Sequence, residues 1–481
     1  MPNPSVEQLQ RIALHVVEGL PVDIAELGRV FEEAGHELAL VGGPVRDALM
    51  GIANPHDLDF TTSAPPEVTE KLLGAWGEAL WDVGRAFGTI GTRKGETTVE
   101  VTTYRSEEYE IGSRKPTVAY GDSLEGDLTR RDFTVNAIAL RVPGLEFVDP
   151  TGGLSDLEAG VLRTPVTAEQ SFDDDPLRIM RAARFAAQLG FEVSSDVMEA
   201  MAAMAGRLDI VSPERIRAEL ERLVVSREPR RGIELLVWTG VADVVLPELA
   251  ALQTTVDEHG RHKDVYEHTL TVLDQAMALE TGADGPVPGP DFVLRFAALM
   301  HDVGKPATRR FEGGGGVSFH HHEMVGAKMT RARMRALRFD NQTIKDVVKL
   351  VELHLRFHGY GDQAWTDSAV RRYVTDAGSQ LERLHRLTRA DCTTRNRRKA
   401  ARLAAAYDDL EERIAVLAAE EEIKAIRPDL DGGQIMRLLG LKEGPAVGKA
   451  YRFLMDLRME EGPLGEEEAT RRLLAWWAEQ E

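Results

Sequence analysis

Apolar and polar positions alternate in two different ways along this chain. Residues from about 5 to 35 repeat apolar positions at helical spacing, and Glu37-to-Val41 then reads as a short strand ending at Gly42-Gly43. A helix opening at Arg46 and running to Met50 follows. Asp57-to-Thr61 is the next expected strand, and Val68-to-Glu78 the next helix. Phe87-to-Arg93 and Thr97-to-Thr103 read as a strand pair turning at Lys94-Gly95, with Val99 and Val101 on one face and Glu100 and Thr102 on the other. The turn cluster Asp149-Pro150-Thr151-Gly152-Gly153 closes this mixed region. From Asp175 onward nearly every segment is helical in pattern. The expected fold class is therefore α+β: a head with a mixed sheet, followed by an all-α neck, body and tail. Boundaries are expected at 1–150, 151–260, 261–395 and 396–481. Thr281-to-Pro290 and Gly313-to-Gly316 read as flexible interruptions of the helical region.

The bulk numbers narrow the class. The chain has 481 residues, enough for roughly two to four domains. With 43% hydrophobic and 28% charged residues it is an ordinary globular composition. The single cysteine, Cys392, has no internal disulfide partner, which fits a reducing compartment. No leader pattern opens the chain and no apolar run reaches the roughly 18–20 residues that span a bilayer. A cytoplasmic protein without a membrane partner is expected; oligomeric state is not legible. The net charge of −21 runs against nucleic-acid binding as a whole, but charge is local. Between Arg371 and Arg402 the chain carries Arg383, Arg386, Arg389, Arg395, Arg397, Arg398, Lys399 and Arg402. That segment is either a solvated helix face or an RNA-contacting one.

The chemistry begins at Val41-Gly42-Gly43-Pro44-Val45-Arg46-Asp47, followed by His56-Asp57-Leu58-Asp59-Phe60. A strand places Asp57 and Asp59 on one face and Leu58 and Phe60 on the other. Two carboxylates on an exposed face suit a divalent cation, here Mg²⁺. The glycines let backbone N–H groups approach a triphosphate, and Arg46 can add charge-assisted hydrogen bonds. Glu100, on the polar face of its strand, is a further candidate carboxylate. Asp127-to-Ala137 holds Arg130, Arg131, Asp132 and Asn136: one guanidinium can reach a phosphate or ribose while Asp132 locks the other. In Asp173-to-Phe185, Asp175, Arg178, Arg181 and Arg184 recur every three residues and form a winding stripe on a helix. An Asp–Arg pair offers an acceptor beside donors, which is what reading a base edge requires.

In this combination and order, and with Ser212-Pro213-Glu214-Arg215-Ile216-Arg217-x-Glu219-Leu220, the chain resembles the class II tRNA nucleotidyltransferases, the CCA-adding enzymes and bacterial poly(A) polymerases, over about residues 36–260. The resemblance implies a polymerase-beta-like head. It implies nucleotide contacts from Gly43, Arg46 and Arg130 or Arg131, and Mg²⁺ on Asp57 and Asp59. Asp175 and Arg178 would select CTP and then ATP, with Arg181 and Arg184 along the triphosphate. The substrate would be the 3′ end of tRNA. Where the family has Glu-Asp, this chain has Asp174-Asp175. The alternatives are a poly(A) polymerase or an enzyme adding part of the CCA end, and, from another class, a metal phosphohydrolase whose head only binds RNA.

Farther on stand His268, His301-Asp302-Val303-Gly304-Lys305, His320-His321-His322, His354, His358 and Asp391. His and carboxylate ligands in this mix suit one or two divalent transition metals. The segment 264–392 resembles an HD phosphohydrolase domain, which implies His268, His301, Asp302 and Asp391 as core ligands. His322, His354 and His358 are accessory candidates; His320 and His321 fit a solvated cluster as well.

Overall fold

The computed structural model describes residues 4–480 apart from 54–55, 83, 86–87, 109–116, 121–122, 255–264, 312–316, 360–364, 395 and 422–426. The chain divides into two compact units, Met1–Val244 and Val245–Glu481.

The first unit is built on a mixed sheet of seven strands. In chain order the strands of this unit's head are β1 (Leu38–Val41), β2 (Asp57–Thr62), β3 (Ala79–Trp81), β4 (Thr89–Lys94), β5 (Thr97–Thr103), β6 (Arg105–Glu108), β7 (Thr117–Tyr120), β8 (Ala139–Val142) and β9 (Glu146–Val148). The seven run β3-β4-β5-β2-β1-β8-β9, while β6 and β7 form a separate hairpin. The central β1 is buried along its whole length, as its Leu-Ala-Leu-Val sequence requires. The expected elements are present with edges moved by a few residues: the helix after β2 is Pro66–Trp76, and β4 begins at Thr89, after the turn residue Gly88 with φ 75°; Phe87 lies outside the described residues. The short strands β3, β8 and β9 carry no alternation long enough to read in sequence.

β2 fixes the functional face. Leu58 and Phe60 are 2% and 1% exposed, whereas Asp57 and Asp59 face outward. Burying each of the two apolar side chains contributes about 1.5–3 kcal/mol, and a slip of one residue would bury both carboxylates instead. β2 lies between β1 and β5, antiparallel to the first and parallel to the second, with Asp59 opposite Glu100. Beyond the sheet, the helix Leu177–Leu189 stops at Gly190, whose φ of 72° suits a residue without Cβ. The helices Pro213–Val224 and Pro229–Trp238 pack on it. The second comes so close that a Cβ on Gly232 would sit 2.7 Å from the Ala183 carbonyl oxygen.

The second unit is helical. The apolar helix Phe292–Met300 is buried from Leu294 onward and is surrounded by Val265–Ala278, Asn341–Leu353 and Leu381–Asp391. A long helix, Arg397–Glu421, follows. The tail helices Gly432–Leu439, Pro445–Glu461 and Glu466–Ala478 share a core of Leu430, Ile435, Ala450, Leu454, Ala469 and Leu473. The Thr281–Pro290 stretch, expected to be flexible, is a closed turn: the Thr281 N–H donates to Val287 O at 2.8 Å and Gly289 N–H to Thr281 O at 3.1 Å. Gly313-to-Gly316 lies outside the described residues. Among the described residues no helix is long and apolar enough to cross a membrane.

Candidate active sites

In the head, three carboxylates share one edge. Asp57 and Asp59 point out of β2, and the register sets Glu100 directly beside Asp59. Parallel neighbours lie roughly 5 Å apart. Crowding by surrounding protein, then repulsion from Glu100 and Asp57, raises the Asp59 carboxyl above the usual value of 3.8, with Arg131 opposing. A divalent cation here would relieve that repulsion, so the donor set fits one.

The glycine turn stands against this edge. Gly42 has φ 73°, and a Cβ there would lie 2.9 Å from Arg131 Nη1. The position that demands glycine is therefore Gly42; a Cβ on Gly43, the glycine singled out in sequence, would meet only Arg46 Nη2, at 3.7 Å. Arg46 is buried at 4% exposure and is held inside the protein. It donates to Asp47 Oδ1 through Nε and Nη2 at 2.9 and 2.6 Å and to Asn136 Oδ1 at 2.7 Å, and it lies over the Phe185 ring. The expected lock between Asp132 and the Arg130-Arg131 pair is not formed. Asp127 holds both arginines, at 3.7 Å to Arg130 and 3.4 Å to Arg131. Asp132 instead turns into the interior, where its Oδ1 accepts Asn136 Nδ2 at 3.0 Å and its Oδ2 accepts Arg181 Nε at 2.8 Å. Burial works to raise the Asp132 carboxyl. Arg181 and the hydrogen bonds from Asn136, Arg181 and Phe133 N outweigh it and leave it below 3.8.

The arginine helix is tied in the same manner. Arg184 Nε donates to Glu219 Oε2 at 2.5 Å, both side chains being buried, and Arg181 reaches Glu219 Oε1 at 3.7 Å. Arg178 donates to Ser171 Oγ at 2.8 Å and to the Arg130 carbonyl at 2.6 Å. Asp175 accepts the Leu177 N–H at 3.1 Å on one oxygen and Arg215 Nη2 at 2.9 Å on the other. Asp175 and Arg178 thus sit at the start of one helix, each with its own protein partner. Arg215 and Glu219, which the sequence reading left without a role, lie one turn apart on Pro213–Val224 and hold both ends of the stripe.

The second site lies in the helical unit. His268 comes from Val265–Ala278, His301 and Asp302 from the end of Phe292–Met300, His322 from the start of His322–Ala336, His354 from the end of Asn341–Leu353, and Asp391 from the end of Leu381–Asp391. The ligand atoms fall into two groups, His268 with His301 and Asp391, and Asp302 with His322 and His354. Asp302 joins them: Oδ2 is 3.2 Å from His301 Nε2 and Oδ1 is 3.2 Å from His322 Nε2. Each buried histidine has its Nδ1 against the carbonyl of the residue three back, Ala298, Phe319 or Val351, at 2.7–2.9 Å. That sets the tautomer and turns Nε2 inward, where the Nε2 atoms of His301, His322 and His354 are buried without a hydrogen-bond partner. His268 Nδ1 lies 3.1 Å from Thr393 Oγ1 and its Nε2 lies 2.9 Å from Asp391 Oδ1. Inward nitrogen lone pairs with two carboxylates fit divalent transition metal. Burial opposes charge on His301, but Asp302 and Asp391 prevail and push it up to about 10; burial and then His301 push His354 down to about 3. His320 and His321 are exposed, and the His358 side chain lies outside the described residues.

A glycine turn, strand carboxylates and an arginine helix in one unit, with a His/Asp metal-ligand cluster in the other, define a metal-dependent nucleotidyltransferase that also carries an HD domain. Comparison with known proteins agrees. The poly A polymerase head domain matches residues 38–163, the probable RNA and SrmB-binding site of polymerase A residues 190–253, and the HD domain residues 265–419. The A-adding tRNA nucleotidyltransferase of Deinococcus radiodurans is 35% identical over 92% of this chain and 96% of its own length. The CC-adding tRNA nucleotidyltransferase of Thermus thermophilus is 32% identical over 91% and 93%. The Bacillus stearothermophilus CCA-adding enzyme, solved in complex with CTP, shares the fold at a TM-score of 0.66 and 24% identity, covering 95% of this chain and 98% of its own. The chain belongs to the tRNA nucleotidyltransferase family.

Proposed function

We propose that this protein completes the 3′ end of tRNA, adding CMP and AMP from CTP and ATP without a nucleic-acid template. The observation that carries the reading is the Asp57/Asp59 pair beside Glu100, facing Arg131 and the Gly42 turn, in a chain of this family. Asp57 and Asp59 would hold Mg²⁺. When bound, that ion lowers the proton affinity of the attacking 3′-hydroxyl and offsets charge on the departing pyrophosphate. Arg131 and Arg130 stand on the triphosphate side. Asp175 and Arg178 exchange their present partners for the base, with Arg181 and Arg184 fixing the helix that carries them. The head is taken as 1–150, the neck 151–260, the HD domain 261–395 and the tail 396–481. The HD cluster would hydrolyse phosphate esters with a transition metal.

A second reading has a specific basis, since two relatives that match nearly the full length are an A-adding and a CC-adding tRNA nucleotidyltransferase. Incubating tRNA that lacks its last three nucleotides with CTP, ATP or both, and sequencing the 3′ ends, separates the readings. Full CCA with both nucleotides supports the main one. Ends stopping at CC, or A added only to tRNA already ending in CC, support partial addition. A long A tail from ATP alone would indicate a poly(A) polymerase.

A further inference from the structure

The basic segment between Arg371 and Arg402 splits in two. Its first half is used up inside the protein: Arg383 donates to Asp291 at 2.7 Å, Arg386 to Glu382 at 3.1 Å, and Arg389 to Asp408 at 2.7 Å and Glu411 at 3.0 Å. The second half is not. Arg397, Arg398, Lys399 and Arg402 are exposed on the first two turns of Arg397–Glu421. Among the described residues the side chains of these four make no ion pair and no hydrogen bond. No acid lies three or four residues away from any of them, Arg398 and Arg402 face each other at i, i+4, and the first turn holds no acidic residue.

This arrangement costs stability. The N-terminal end of a helix carries about half a positive charge, so each cation there is disfavoured by roughly 0.3–1 kcal/mol, and like charges at i, i+4 add a few tenths. Helix formation is not the reason for the cluster: Asn396 already caps the end, accepting the N–H groups of Arg398 and Lys399 at 3.0 and 3.2 Å. In a chain of net charge −21, four uncompensated cations on a positive helix end mark a surface for an external anion.

We infer that the exposed N-terminal turns of Arg397–Glu421 bind the phosphate backbone of RNA, as a docking surface in the helical unit outside both active sites. The inference rests on the tRNA reading given above. Backbone binding is favoured because the four cations span about 8 Å of helix axis with only Ala400 and Ala401 between them. A protein interface needs an aromatic or apolar anchor, and this patch has none exposed. The apolar face of the helix, Tyr407, Leu410, Ile414 and Leu417, is buried inward, so no exposed apolar face lies beside the cations to enter a membrane.

The test replaces Arg397, Arg398, Lys399 and Arg402 by Gln together in the full chain. Binding of tRNA lacking its CCA end is measured against KCl concentration, alongside steady-state addition and thermal melting. Each lost phosphate contact removes roughly 0.7–0.9 from the slope of log K against log salt, so losing all four should lower the slope by about 3–3.5. KM for tRNA should rise about tenfold near 0.1 M salt with kcat retained, and the melting temperature should hold or rise. An unchanged slope and unchanged KM overturn the inference, and would leave an acidic protein as the patch's partner. A lower kcat with an unchanged slope also overturns it. Should the parent chain add nothing to tRNA, the proposed function fails, and the slope measured on a plain RNA duplex still decides the patch.

Discussion

Removing the Glu219 carboxylate strands a buried charge, and the cost can be worked from the structure. Arg184 and Glu219 are 6% and 3% exposed and meet at 2.5 Å. Burial already pushes the Arg184 guanidinium below its usual value, with Glu219 the chief opposing influence. Glu219→Ala leaves Arg184 with Gln188 Oε1, at 2.9 Å, as a neutral partner, while Arg181 keeps Asp132. Breaking such a pair from one side costs about 3–5 kcal/mol, whereas replacing both members by apolar residues is near neutral. At 1.4 kcal/mol per tenfold, amide exchange protection in Leu177–Leu189 should fall by about two to three and a half orders of magnitude. The companion Arg184→Met/Glu219→Leu variant should recover most of that protection. The assay is hydrogen exchange on the full chain, read peptide by peptide. A loss below about 1 kcal/mol in the single variant, or an equal loss in the double, would refute the reasoning.

Three further outcomes follow from the same geometry. Because the Asp132 carboxyl is depressed in the folded state, its contribution is present above the unfolded value near 3.8 and is lost as pH falls through the folded one; Asp132→Asn should therefore flatten the acid limb of stability below about pH 4, as seen in urea titrations between pH 2 and 6. Metal analysis of the protein loaded with Mn²⁺ or Ni²⁺ should find two ions per chain in the helical unit and one after His322→Ala, since His322 serves only the Asp302–His354 group; two ions in that variant would contradict the grouping. Arg215→Ala frees one Asp175 oxygen without touching Arg178, so misincorporation of GTP or UTP should rise severalfold while tRNA affinity stays constant, and unchanged selectivity would remove Arg215 from the base-reading end.

Where one strand or helix decides the outcome, the residues themselves were readable. The alternation in Asp57-Leu58-Asp59-Phe60 sets which side chains face out, and nothing distant can reverse it without burying two charges. The ordered His and Asp ligands were legible because ligand chemistry limits which side chains qualify. What sequence could not show is who meets whom across the fold. Glu100 stands beside Asp59 only because β5 pairs with β2 across an intervening helix and two strands. Asp132 adjoins two arginines in sequence, yet it pairs with Arg181, 49 residues on, because its carboxylate is buried where that guanidinium arrives. Sequence left open whether the HD ligands hold one ion or two; their division into two groups bridged by Asp302 is a matter of where five helices converge.

The central claim is that nucleotide addition resides at the strand carboxylates of the head and not at the HD cluster. Incorporation of labelled CTP and ATP into tRNA lacking its 3′ end, measured for Asp57→Ala and His301→Ala side by side, tests it most directly. The account predicts that Asp57→Ala abolishes incorporation and His301→Ala retains it. Retained incorporation in Asp57→Ala, with loss in His301→Ala, would contradict it.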